Sequence, residues 1–437
     1  MQKHTRWLLA EIERWVAEGI VSPEQAGRLR SRYTAREAGP PWGLIVFATA
    51  GAMVIGLGVI LLFAYNWAAI PKFGKLALVF GAIIAAHACA VRLLAGDSWK
   101  PKLGEAIAAL GTMLYGAGIW LVAQIYNIDE HFPNGFLFWA LGALAMAWAI
   151  RSTANGLMAV VLLVFWASYE TFEFHAPHYA AVLLIAIGLL PLAWKQRSAV
   201  LLAATVIAIQ FLIAANVASW GGAGHAFTSS LALGVLLVAA GRMMADARVD
   251  FAGGAGVLTT LGFGAFLVCA YILSFDNSAG RLLDLARGVR PDRMTASIFT
   301  WTLSVAAIGT WAWLADRSLL KRKLEINREE WLLPVMLLQC VVFAALGSRD
   351  WALLIAWSFN LVLLGIAAMW MWRGCSESRL RPTVLGSLLL AAVVLARYFD
   401  LFDNFASRGL GFIILGGIFI AEALYYRKIK RETEGAP

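Results

Sequence analysis

The sequence predicts an all-α fold: a polytopic helical membrane bundle of about 14 transmembrane helices, with a small N-terminal cytoplasmic helical hairpin. Three observations lead there. Of 437 residues, 61% are hydrophobic and only 14% are charged, and the mean hydropathy is +0.72; soluble chains carry roughly 25% charged residues. The apolar residues fall in runs of about 20, the length a helix needs to cross the hydrocarbon core. Lys and Arg gather in alternate breaks between those runs, as they do in cytoplasmic loops. Together these exclude a soluble enzyme, a secreted disulfide scaffold and a disordered chain.

The first element is the cytoplasmic head, residues 1–40. Trp7, Leu8, Ile12, Trp15 and Val16 recur at helical spacing, and Gly19 is positioned to stop the helix. Ser22-Pro23-Glu24-Gln25 then reads as a capping box opening a second helix with Ala26, Leu29 and Tyr33 on one face. Arg28, Arg30, Arg32 and Arg36 lie on its other face. A basic amphipathic helix beside a bilayer suits anionic lipid headgroups; the same charges also serve as plain positive-inside topogenic signals. Met1 to Pro41 has no short apolar run ending in a cleavage site, so no processing is expected.

The transmembrane domain follows over 41–427, and a basic tail over 428–437. Expected spans lie near 42–65, 73–95, 103–126, 134–150, 153–172, 179–195, 198–216, 224–243, 253–275, 295–315, 331–347, 350–373, 380–398 and 408–426. Spans four and five are separated only by Arg151 and Ser152, so one broken hairpin is an alternative. An even count puts both termini on one side. The termini and even-numbered loops hold about three quarters of the 36 Lys and Arg, which makes that side cytoplasmic. Of 12 prolines, only Pro191, Pro334 and Pro382 fall inside spans, each near an end.

The four cysteines, Cys89, Cys269, Cys340 and Cys375, form no CxxC pair and read as small core hydrophobes. The net charge of +9 comes with no nucleic-acid-binding motif, so no nucleic-acid partner is expected. Gly51-x-Met53-x-x-Gly56-x-Gly58 in span one and Gly111-x-Met113-x-x-Gly116-x-Gly118 in span three share one offset, and span nine carries Gly262-x-Gly264. Generic close helix packing explains these glycines; an old duplication of a two-helix unit is the alternative.

In these blocks the chain resembles the domain-of-unknown-function 2157 family of predicted bacterial membrane proteins. The resemblance rests on Trp15-x-x-x-Gly19-Ile20-Val21-Ser22-x-Glu24-Gln25, on Ala64-Tyr65-Asn66-Trp67 with Pro71 and Lys75, and on Gly116-Ala117-Gly118-Ile119 through Gln124-Ile125-Tyr126, then Gly135, Leu137, Trp139 and Ala140. It covers residues 7–150, with Arg397-Tyr398-Phe399 as a later echo. It implies a multi-pass protein of the bacterial inner (plasma) membrane and brings no mechanism.

Two sets of residues are candidates for substrate contact. Asn66, Trp67, Lys75, Gln124, Tyr126, Asp129 and Trp139 gather at the outer ends of spans one to four, where amides, a lysine and aromatics could frame a polar headgroup; an aromatic belt with solvated loops is the plainer reading. His87, Gln210, Gln339 and Asn360 are polar residues near mid-membrane, where amides also act as glue between helices. Arg397, Asp400 and Arg408 are expected to form a salt-bridge clamp between the last two helices, in preference to a substrate gate. Glu170, Glu173, His175 and His178 are spaced too loosely to argue a metal site, and no cofactor motif, HExxH, GxSxG or Walker loop is present. The leading functional expectation is a transporter or flippase of a small or amphiphilic molecule. The alternatives are a non-transporting scaffold or sensor acting through the head, and an intramembrane enzyme.

Overall fold

The computed structural model describes residues 11–34, 70–95, 101–128, 131–176, 179–247, 249–251, 253–283, 293–320, 326–401, 413–414, 416–425 and 427. Most of these residues are helical, and no strand occurs among them. The chain divides into two compact units, residues 1–78 and 79–437.

The first unit holds the hairpin. Helical residues 11–17 end at Gly19, whose φ of +74° is the left-handed conformation that glycine adopts without a Cβ clash. The Ile20 N–H closes the turn on the Trp15 carbonyl at 2.9 Å. Helix α1 (Pro23–Thr34) opens with a reciprocal capping box. Ser22 Oγ accepts from the Gln25 N–H at 3.2 Å, and Gln25 Oε1 accepts from the Ser22 N–H at 3.1 Å. Ile12 and Ala26 are buried, and Arg30 pairs with Glu13 at 3.3 Å across the hairpin.

The helices that follow are α2 (Lys72–Ala95), α3 (Pro101–Tyr126), α4 (Pro133–Ala149), α5 (Thr153–Phe172), α6 (Tyr179–Gly188), α7 (Leu190–Gln196), α8 (Ala199–Gly221), α9 (Ala223–Asp246), α10 (Gly254–Leu273), α11 (Asp276–Leu283), α12 (Met294–Ala315), α13 (Leu332–Leu346), α14 (Ala352–Ser376) and α15 (Leu380–Leu401). Among the described residues, 11 spans are long and apolar enough to cross a membrane. The expected fourteen is therefore not reached. Helix α4, at 17 residues, is at the lower limit for a crossing. The first expected span, 42–65, lies outside the described residues, and of the last only a short apolar helix, Gly416–Tyr425, is described at length.

Local chemistry explains the breaks. Ser152 caps α5: its Oγ accepts from the Asn155 N–H at 3.1 Å and donates to Glu105 Oε1 at 2.8 Å. Spans four and five are thus two helices, turned at Arg151, whose φ is +50°. Helices α6 and α7 form one span interrupted at Leu189, because Pro191 brings no N–H to the ladder. The nearby Gly188 carbonyl accepts instead from the Trp148 indole at 2.7 Å.

Two apolar clusters hold the second unit together. One surrounds Leu163, Trp166, Ile185 and Leu212; the other surrounds Phe266, Trp311, Phe359 and Leu363. Helix α9 is the most enclosed span. A Cβ on its Gly234 would lie 2.9 Å from the Gly262 carbonyl of α10, so these backbones touch directly. Of the glycines shared by the two sequence blocks, Gly111 receives the His87 ring and Gly116 the Trp139 ring. Large apolar side chains such as Ile187, Leu361 and Trp372 point outward, which suits a hydrocarbon solvent. Cys269, Cys340 and Cys375 are buried, Cys89 is exposed, and all four are free thiols.

Among the described residues, most ion pairs of the second unit gather at one end of the helices. Arg242 of α9 makes a two-pronged pair with Glu330, Arg317 reaches Asp246 at 3.3 Å, and Arg373 of α14 reaches Glu329 at 3.7 Å and Glu377 at 2.9 Å. Along α14, the opposite end begins about 30 Å away by helical rise.

Candidate functional site

The richest polar site lies toward that opposite end, where α10, α11, α14 and α15 meet. Helix α10 stops at Ser274, and a helix C-terminus leaves carbonyls without intrahelical partners. The Ser274 carbonyl is taken by two side chains from other helices. Asn360 Nδ2 donates to it at 3.0 Å and to the Ala356 carbonyl at 2.8 Å. Arg397 Nη2 donates to the same carbonyl and to Ser274 Oγ at 3.1 Å, while its Nε donates to Asn360 Oδ1 at 3.2 Å. The guanidinium also stands 4.5 Å from the centre of the Phe275 ring. A cation at a helix C-terminus opposes the negative end of its dipole. Arg397 therefore ties three helices together.

The same two side chains, with Ser274 and Asp276, line a cavity of about 270 Å³ whose remaining walls are apolar: Leu353, Trp357, Leu364, Val393 and Val394 among them. A second, more polar cavity of about 660 Å³ adjoins it, sharing Asp276 and Leu353 and adding Asn277, Arg281 and Asp350. Together they span the range of small-molecule sites, about 300–1,000 Å³. The arrangement can hold a charged head beside an apolar chain.

The other predicted residues are distributed more widely. Gln339 Nε2 donates to Ser358 Oγ at 2.7 Å, joining α13 to α14. Gln210 Nε2 donates to the Ser230 carbonyl at 2.9 Å and borders an apolar groove between α8, α9 and α10. His87 Nδ1 meets the Ile83 carbonyl of its own helix at 2.9 Å. These three residues and Asn360 thus lie in separate places. Of the outer set, Gln124 and Tyr126 are exposed at the end of α3, while Trp139 turns into the α3–α4 contact and donates to the Thr112 carbonyl at 2.9 Å. Lys75 sits in the first turn of α2. Asn66, Trp67, Asp129, Arg408 and, in the head, Arg36 lie outside the described residues. Asp400 falls in the last turn of α15.

Three further histidines have defined surroundings. His225 is buried, with Nδ1 on the Gly221 carbonyl at 2.8 Å and Nε2 at 2.9 Å from Ser297 Oγ of α12. His131 Nε2 lies 2.7 Å from the buried Glu170 carboxylate and stacks edge-on with Phe174. It also borders an aromatic cavity of about 460 Å³ with Tyr115, Trp120, Phe132 and Phe138. His175 bonds the Glu173 carbonyl of its own turn at 3.1 Å, and His178 lies outside the described residues.

Sequence reasoning found Asn360 and Arg397 separately but missed Ser274, Asp276 and Trp357 as their companions. It also treated residues 276–294 as loop, although Ala279, Leu282 and Leu283 of α11 are fully buried. Their spacing of three and four residues was the available signal.

Fold and surface define an all-α integral membrane protein. Residues 13–156 match a family model described as Predicted membrane protein (DUF2157). The match includes most of the described hairpin, α2, α3, α4 and the first turn of α5, and stops well before the Arg397 cleft. No curated protein and no solved structure matches the chain.

Proposed function

We propose that this membrane protein carries or flips a small amphiphilic molecule, and that the ligand enters at the Arg397 cleft. The observation that carries the reading is a guanidinium held against an apolar cavity between helices. Ionisable groups inside a bilayer are costly to keep and mark functional paths. Support also comes from the two ends of the bundle: one is fastened by ion pairs, the other carries the cleft. In this reading the ion-paired end and both termini face the cytoplasm of a bacterial inner membrane, as the Lys and Arg bias indicates. Arg28, Arg30, Arg32 and Arg36 would then lie near anionic headgroups. The outer set around Gln124 and Tyr126 is kept as a secondary approach for headgroups.

The test is flipping of fluorescent short-chain phospholipids in vesicles containing the full chain. Wild type should exchange label between leaflets faster than protein-free vesicles. Arg397→Gln should slow exchange about 10- to 100-fold, the range for losing a charge-assisted hydrogen bond worth about 1.5–3 kcal/mol. Arg397→Lys should retain part of the activity. Wild-type exchange no faster than protein-free vesicles would refute the reading.

A scaffold or sensor role through residues 1–36 is favoured by one observation, the capping box that opens the second helix of the hairpin, within a compact unit of residues 1–78. Its mark would be loss of function on deleting that segment with flipping unchanged.

A further inference from the structure

We propose that the cleft selects a zwitterionic amphiphile, one whose head carries a phosphate or carboxylate together with an ammonium group. This rests on the amphiphile reading above and specifies its ligand. Four formal charges line the two adjoining cavities: Arg397 and Arg281, Asp276 and Asp350. They balance, two of each sign, so a singly charged head of either sign meets repulsion as well as attraction.

Their order along the cleft is informative. Arg397 is held by Asn360, which lies about 12 Å beyond the first residue of α14 by helical rise. Asp350 precedes that helix, and Asp276 opens α11 where the inner cavity meets the polar one. Arg397 is therefore the deeper cation, beside Leu364 and Val393, while the carboxylates and Arg281 lie toward the polar cavity. In common zwitterionic lipids the anion lies next to the tail and the ammonium farther out. The two orders match. An alkyl chain along the apolar wall places the phosphate at Arg397 and the ammonium toward Asp276 and Asp350. Ser348 Oγ donates to Asp350 at 2.7 Å, which orients that carboxylate.

The experiment compares three probes with one dodecyl tail: dodecylphosphocholine, dodecyl phosphate and dodecyltrimethylammonium. Each is titrated into the full chain in maltoside micelles, and saturable binding is read by native mass spectrometry. Dodecylphosphocholine should bind about tenfold tighter than either singly charged probe, the step expected from one added charge-assisted contact. Asp276→Asn and Asp350→Asn, made separately and together and checked for unchanged thermal unfolding, should erase that preference and raise dodecyl phosphate to parity. Tighter binding of dodecyl phosphate to wild type would overturn the zwitterion inference and leave the amphiphile reading standing. No saturable binding of any probe would overturn both.

Discussion

Replacing Glu330 with alanine lowers the stability of the bundle by about 3–5 kcal/mol, the usual cost of leaving a buried charge without its partner. Glu330 is 2% exposed. It accepts from Arg242 Nε at 2.7 Å and from Nη2 of the same guanidinium, and Asn327 Nδ2 donates to it at 2.9 Å. Deleting the carboxylate strands a guanidinium whose side chain is only 20% exposed. Glu330→Gln keeps hydrogen-bonding atoms in place and should lose less. Pairing Arg242→Met with Glu330→Leu removes both charges and should recover most of the loss, because isosteric apolar replacements of buried pairs are often neutral. Reversible unfolding in detergent, arranged as a double-mutant cycle, checks this. A loss below about 1 kcal/mol would mean the pair behaves as an exposed surface bridge.

The second large effect is expected at Gly374. A Cβ there would fall 2.2 Å from Thr383 Oγ1 and 2.4 Å from the Thr383 nitrogen. Three residues further along α15, a Cβ on Gly386 would lie 2.8 Å from the Ala367 carbonyl and 2.8 Å from the Met371 nitrogen. Backbone atoms cannot swing aside as a flexible side chain can, so even alanine must force α14 and α15 apart. Gly374→Ala should cost about 1–3 kcal/mol, and Gly374→Ala with Gly386→Ala more. The same separation displaces Arg397 from Asn360, so ligand binding should weaken together with stability. Gly365 is the control: nothing lies within 4 Å of its Cβ position. There alanine should be neutral or stabilising by about 0.5–1 kcal/mol, because it removes backbone freedom from a helix interior. Equal losses at Gly374 and Gly365 would contradict the packing argument.

The sequence signals that proved readable are those with a local cause. Gly19, the Ser22–Gln25 box and the Ser152 boundary are set by neighbouring backbone groups, and the structure contains each of them. Span positions were readable because length and hydropathy alone decide a crossing. What remained hidden is which face of each span meets which partner. A soluble helix shows its buried face by amphipathic periodicity. A lipid-facing helix is apolar all round, so Leu361, 66% exposed, and Leu363, fully buried, look alike in sequence. Hence Arg397 was placed in a clamp with Asp400 and Arg408, and Asn360 in a mid-membrane set, with nothing to join them. Their meeting point is the Ser274 carbonyl, a backbone atom exposed by the end of α10. His225 shows the same limit: it lies at the start of a span, and its partner Ser297 belongs to a helix that is not adjacent in sequence.

The central claim is that an amphiphile occupies the cleft beside Arg397. Native mass spectrometry of the full chain extracted with its own lipids tests it most directly, with wild type, Arg397→Gln and Gly365→Ala compared side by side. One reproducible bound amphiphile is expected on wild type and Gly365→Ala, depleted about tenfold or more on Arg397→Gln at unchanged folding. An identical adduct on all three, or none on wild type, would contradict it.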